Sequence, residues 1–159
     1  MSLREKLQEK ERARRFAQKD AKLSLQEWLT SIKGLYRLVW EELAELRRDK
    51  LIEFGSQTVD RSEELTGKYK TSELTLRAGG RTIVFSPVAR FVVGSYGRVD
   101  LYALGRLNVR YYVLLDKTAG GADRWVITEA DTPRKHPLSA LPELSRATLE
   151  DAIEKLLSA

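Results

Sequence analysis

Between Leu74 and Ile127 the apolar residues of this chain stop recurring at helical spacing and begin to alternate. Leu74 and Leu76 alternate with Thr75 and Arg77; Val99, Leu101 and Ala103 alternate with Asp100 and Tyr102; Leu107, Val109, Tyr111, Val113 and Leu115 alternate with Asn108, Arg110 and Tyr112. A period of two places one set of side chains on each face of a strand. Gly79-Gly80, Gly105 and Gly120-Gly121 punctuate the runs and can supply the positive φ of tight turns. Ile83 and Phe85 continue past the first turn, and Pro87 limits that strand or starts the next. Short strands joined by short glycine turns imply an antiparallel meander of five or six strands over residues 72–130.

Helical patterns flank this region. Leu25, Trp28, Leu29, Ile32, Leu35, Tyr36, Val39, Trp40, Leu43 and Leu46 form one apolar stripe, opposite Gln26, Lys33, Arg37, Glu41, Glu45 and Arg48. The spacing predicts an amphipathic helix over 24–50. Ser24 is its expected N-cap, Glu27 closes a capping box, and Leu23 with Trp28 forms a hydrophobic staple. At the other end, Ser145 is the expected N-cap of a helix over 145–158, with Leu144 and Leu149 as staple. Its stripe is Leu149, Ala152, Ile153, Leu156 and Leu157. From Gly55 to Thr71 neither period is visible, so residues 53–71 read as a long connection. The fold class is therefore α+β: a meander packed by a long N-terminal helix and a short C-terminal one, both on one face.

Residues 1–22 stand apart from this domain of residues 23–159. They contain eight basic and four acidic residues, a net +4 of the +5 carried by the whole chain. Their composition favours helix, but Leu3, Leu7, Phe16 and Ala17 are too sparse to hold a helix on a core. This arm is expected to be a solvated helix or one ordered by a partner. Arg12, Arg15 and Lys19 share one helical face and are the candidate contacts to an acidic partner or a phosphate backbone. Solvated ion pairs at i, i+4 are the plainer account of the same charges.

The 159 residues suit one domain with an appendage, and the sequence contains no Cys and one His, His136. Thiolate sites and Cys nucleophiles are excluded, as is a cluster of histidines from one chain. No apolar run approaches a membrane span, and the N-terminus has no signal-peptide core, so the default location is the cytoplasm.

One stretch tempts a catalytic reading. In "FVVGSYGRVDLYALG", Gly94-Ser95 after an apolar run resembles the opening of a nucleotidyltransferase site. Such chemistry needs carboxylates converging on metal ions. Asp100 has no acidic residue at the next same-face position, and the residues after Gly97 alternate like a strand. The stretch reads as a turn, with Gly94 and Gly97 present for backbone conformation. Asp116 and Lys117 are consecutive and point to opposite faces, so they do not complete a nuclease-type site with Asp100. Glu41, Glu42 and Glu45 are a charged helix face without the Glu-x-x-His of a di-metal bundle. His136, flanked by Lys135 and Pro137, makes a poor general base.

Tyr96, Tyr102, Tyr111 and Tyr112 among Arg81, Arg90, Arg98, Arg106 and Arg110 could in part form a base-stacking sheet face. Tyr111 and Tyr112 face opposite ways, so only part of this set can act together. The reading these residues support is a non-catalytic protein-interaction or adaptor module that needs no cofactor or metal. Self-association as a homodimer is expected through surplus apolar surface at Trp28, Leu35, Tyr36 and Trp40. The alternative is a nucleic-acid-binding accessory protein that uses residues 1–22.

Overall fold

A computed structural model describes residues 2–64, 66–90, 95–130 and 137–159, with residues 16–21 described by their backbone alone. Six strands run in sequence order as one antiparallel sheet: β1 Ile52–Glu63, β2 Gly67–Ala78, β3 Arg81–Ala89, β4 Arg98–Ala103, β5 Arg106–Lys117 and β6 Asp123–Glu129. The helices are α1 Leu3–Glu42, α2 Ala44–Arg48 and α3 Arg146–Ser158. Consecutive strands pair because tight turns join them. Gly79 and Gly80 take φ of 58° and 77°, and Gly105 takes 81°, conformations in which a side chain is strained.

One face of the sheet carries Leu76, Ile83, Phe85, Val99, Leu101, Val113, Leu115 and Trp125, all buried. Trp28, Ile32, Leu35 and Val39 of α1, Leu43 at its C-terminal cap, and Leu149, Ala152, Ile153 and Leu156 of α3 pack on it as a single core. Those spacings are the i, i+3, i+4 steps of one helical stripe. Ser145 caps α3 and accepts from the Thr148 amide, while Thr148 returns a bond to the Ser145 amide. Arg81 and Arg106 both donate to the carbonyl of Ala159, just past the last turn of α3, where cations complement the helix dipole.

Two expectations are corrected. The first concerns the helix over 24–50: α1 does not begin at Ser24 but runs unbroken from Leu3, capped by Ser2, whose hydroxyl accepts from the Glu5 amide at 3.2 Å. The stretch before Ser24 contains no Gly or Pro. Starting at Ser24 would forfeit about six turns of hydrogen bonds for one cap. Ser24 and Glu27 are used otherwise: both bond to the guanidinium of Arg90, at 3.3 and 3.4 Å. The helix pauses at Leu43 and resumes as α2.

The second concerns the connection over 53–71, which is instead β1 and the first half of β2. The two pair residue for residue from Ile52↔Ala78 to Glu63↔Gly67. Alternation is absent because most of β1 is exposed on both faces, so no apolar set marks its period. Its order comes from the backbone ladder and from cross-strand bonds, not from burial.

Candidate functional site

The residues from Ser95 to Asp100 answer the question raised by their sequence; Phe91–Gly94 and His136 lie outside the described residues. The Ser95 hydroxyl donates to the carbonyls of Gly97, at 2.8 Å, and Leu115, at 3.0 Å, and accepts from the Gly97 amide at 3.2 Å. All three bonds tie it to the backbone, with its single proton shared between the two carbonyls. Gly97 is not there for an unusual φ. A Cβ built on it would lie 2.3 Å from Cζ3 of Trp28, so its role is to let the Trp28 ring lie against the backbone.

Asp100 projects from the opposite, outer face of the sheet. The register aligns Ser86, Asp100, Tyr112 and Thr128 in one cross-strand row, and Gln57 pairs with Glu73 at the β1–β2 end. Glu73, Ser86 and Asp100 are buried despite their polarity. Each is satisfied. Glu73 accepts from Gln57 at 2.6 Å and from the Ser86 hydroxyl. Arg61 donates to Ser86 Oγ at 2.8 Å and to the Pro87 carbonyl at 2.6 Å, with its guanidinium 3.5 Å from Glu73. Arg98 grips Asp100 with two nitrogens, at 2.8 and 3.3 Å, and stacks 4.1 Å over the Tyr112 ring. Arg110 approaches Asp100 at 4.0 Å, and Asp116 is tied to Arg124 at 3.0 Å.

This network joins groups that sequence reasoning left apart. Arg61 and Glu73 were hidden by the misread hairpin, and only strand register brings them to Ser86. Every carboxylate in it already has an arginine. Among the described residues no group of three or more His, Asp or Glu is placed to hold a metal ion. The expected stacking platform is also reduced: Tyr111 is in the core, and Arg98 and Arg110 are committed to Asp100. Tyr102 and Tyr112 remain half-buried on the outer face, and Tyr96 is exposed.

No family model, no curated protein and no solved structure matches the chain. Its reading therefore rests on the residues themselves.

The arm residues are placed plainly. Arg12 is exposed. Arg15 is exposed but bonded to Glu11 at 3.2 Å, and Glu11 also holds Arg14 at 2.8 Å. The side chain of Lys19 lies outside those described. Of the four expected interface residues, Trp28 and Leu35 are wholly buried in the core. Tyr36 is half-buried and donates to the Ser72 carbonyl at 2.5 Å. The helix stripe is thus covered by the chain's own sheet rather than left over. Trp40 alone is substantially exposed, at 44%, with Phe54 5.1 Å from its ring and Arg47 3.8 Å above it. No described helix is long and apolar enough to cross a membrane.

Four tyrosines titrate above their ordinary range. Burial is the main cause at Tyr36, Tyr69, Tyr102 and Tyr111, with the negative charges of Glu73 at Tyr36 and Tyr102 and Glu63 at Tyr69 adding to it. The folded state thus prefers the neutral phenol. In the unfolded chain these groups ionise near pH 10, so the stability they contribute is complete below that pH and is lost as pH rises toward the raised folded values. The melting temperature is expected to hold to about pH 9 and then fall steeply. A Tyr36→Phe variant should fall less steeply. An unchanged alkaline slope in that variant, followed by circular dichroism, would remove Tyr36 as a contributor.

Proposed function

We propose that this chain is a non-catalytic interaction module in which the α+β body anchors a stiff basic arm that docks on an acidic partner protein. The observation that carries this reading is α1. Its first 13 residues, Leu3 to Arg15, are helical, yet none of their side chains is buried, and among the described side chains of the helix the first that is buried is Trp28. At 1.5 Å per residue the stretch before Ser24 spans about 30 Å. It is fused without a break to a helix locked in the core, so its direction is fixed by the body. A rod of this kind loses less conformational freedom on binding than a disordered tail. It also holds nearly all of the chain's excess positive charge, which speeds encounter with an acidic surface.

Self-association draws less support than the sequence implied. Trp28 and Leu35 are spent inside the protomer, so of the four expected contacts Trp40 alone is substantially exposed to a second copy. Nucleic acid is the second reading. The charge segregation favours it, and the pairing of Arg14 and Arg15 with Glu11 weakens it.

The test compares the full chain with one beginning at Leu23. In the shorter chain Ser24 and Glu27 can act as the helix start their sequence spells, so the body is expected to stay folded. Affinity capture from the native cells is expected to lose its partner proteins on truncation, and to lose them from the full chain at high salt. An unchanged set of partners would overturn the arm as the contact. Fluorescence anisotropy with duplex DNA and with RNA separates the second reading: arm-dependent binding that weakens steeply with salt would replace the protein partner with a polyanion.

A further inference from the structure

A cleft of about 710 Å³ lies beside the body's C-terminal helix, between β5, the end of β6 and α3. A smaller one of about 260 Å³ adjoins it and shares Tyr111, Glu129 and Asp151. Tyr111 is 5% exposed and lines both, yet its hydroxyl has no hydrogen-bond partner among the described residues. Buried hydroxyls are nearly always bonded, and a Phe would fill the same volume without the cost of an unmade bond. An unused phenol at the base of a cleft marks a place where an outside group completes the bonding.

The charges around it say which kind of group. Glu129 at the end of β6 and Asp151 and Glu154 on α3 line the cleft, with Lys155 and Arg110 as the basic groups. Arg110 is drawn toward Asp100 on the other face of the sheet. Lys155 lies between two of the carboxylates, with Nζ 3.6 Å from Asp151 and 3.8 Å from Glu129. Both distances exceed a direct ammonium–carboxylate hydrogen bond. The cleft is thus an acidic seat occupied by the chain's own ammonium, on a side chain that is half exposed. An anion would meet three carboxylates. Val109, Ile127, Pro142 and Ala152 supply apolar wall along the pair of clefts.

We propose that this paired cleft binds a small organic polyamine. One ammonium displaces that of Lys155, sits between Glu129 and Asp151 and donates to the Tyr111 hydroxyl. The alkyl chain lies against the apolar wall. No bond is made or broken, and the site is independent of the α1 arm.

Spermidine titrated into the full chain at low salt, followed by calorimetry, tests this. Saturable one-to-one binding is expected, with acetate giving none. Asp151→Asn should weaken it about tenfold, as expected for loss of a close charge partner. Tyr111→Phe should weaken it a few-fold while leaving the melting temperature equal or higher, because the hydroxyl bonds nothing in the free protein. Lys155→Met should tighten binding by removing the competitor, a result that non-specific attraction to acidic surface does not give. Glu150→Gln, on α3 but outside the cleft, should change nothing. Absence of saturation at millimolar spermidine, equal affinity across all variants, or a melting temperature lowered by Tyr111→Phe would each overturn the proposal.

Discussion

Replacing Trp28 by Ala is expected to remove about 3–5 kcal/mol of stability, the range for emptying a buried aromatic site. Trp28 is wholly buried, 6.2 Å from the Trp125 ring and against the backbone at Gly97. Among the described side chains of α1 it is the first that is buried, so its loss also loosens the point where the arm joins the body. The matching change is Gly97→Ala. The new Cβ would lie 2.3 Å from Trp28 Cζ3 and under 3 Å from its two ring neighbours, and a rigid buried indole cannot bend out of the way. Overpacking of this kind costs about 1–3 kcal/mol. The two substitutions touch one contact, so their effects should not add: Gly97→Ala in a Trp28→Ala background is expected to cost little or nothing. Urea unfolding of the four proteins measures the coupling. Additive losses would mean that Gly97 serves its own turn and not the tryptophan.

The second large effect is expected at Glu73. Removing its carboxylate by Glu73→Ala leaves Ser86, Gln57 and Arg61 without their shared acceptor on a buried sheet face. Breaking a buried ion pair by deleting one partner costs about 3–5 kcal/mol. Arg61 is a quarter exposed and keeps its bond to the Pro87 carbonyl, so the low end, about 3 kcal/mol, is expected here. Glu73→Gln retains an acceptor and should cost about half as much. Chemical denaturation distinguishes them. A loss under about 0.5 kcal/mol for Glu73→Ala, the size of an ordinary surface substitution, would show that the network is ornamental to the fold. Since Arg61 reaches across from β1, the same variant should raise amide exchange in β1 first, most of whose residues are exposed.

How much of this was legible beforehand differs from element to element. The glycines at 79, 80 and 105 announced their turns because positive φ is a local demand, met by the residue itself. Ser145 announced α3 for the same reason: a cap acts within one turn. Ser24 and Glu27 carried an equally good local signal and were overruled. A helix begins where the sum along the chain is most favourable, and the helical stretch before Ser24 outweighed one cap. The distal half of the β1–β2 hairpin carried little signal: Tyr69 and Thr71 are buried at alternating positions of β2, but only Tyr69 is in the apolar core, and the facing stretch of β1 is largely exposed. Its strands are recognised by their partner, not by themselves.

The candidate sites divide in the same way. The charge of the arm could be read from composition, and the placing of Asp100 on the face opposite Val99 and Leu101 from the period of two. The joining of Arg61, Glu73 and Ser86 could not, nor the meeting of Tyr111 with Lys155, Asp151 and Glu129, since these residues come from distant strands and a helix. What the sequence determined on its own was local: the period of each element, its turns, its caps and where its charge lies. Tertiary structure decided the long-range matters: how far α1 runs, why residue 97 has no side chain, and which polar groups face one another. The physical reason is range. Backbone preference and amphipathic spacing act over a few residues, whereas a clash or an ion pair depends on which surfaces the packed sheet and helices bring into contact.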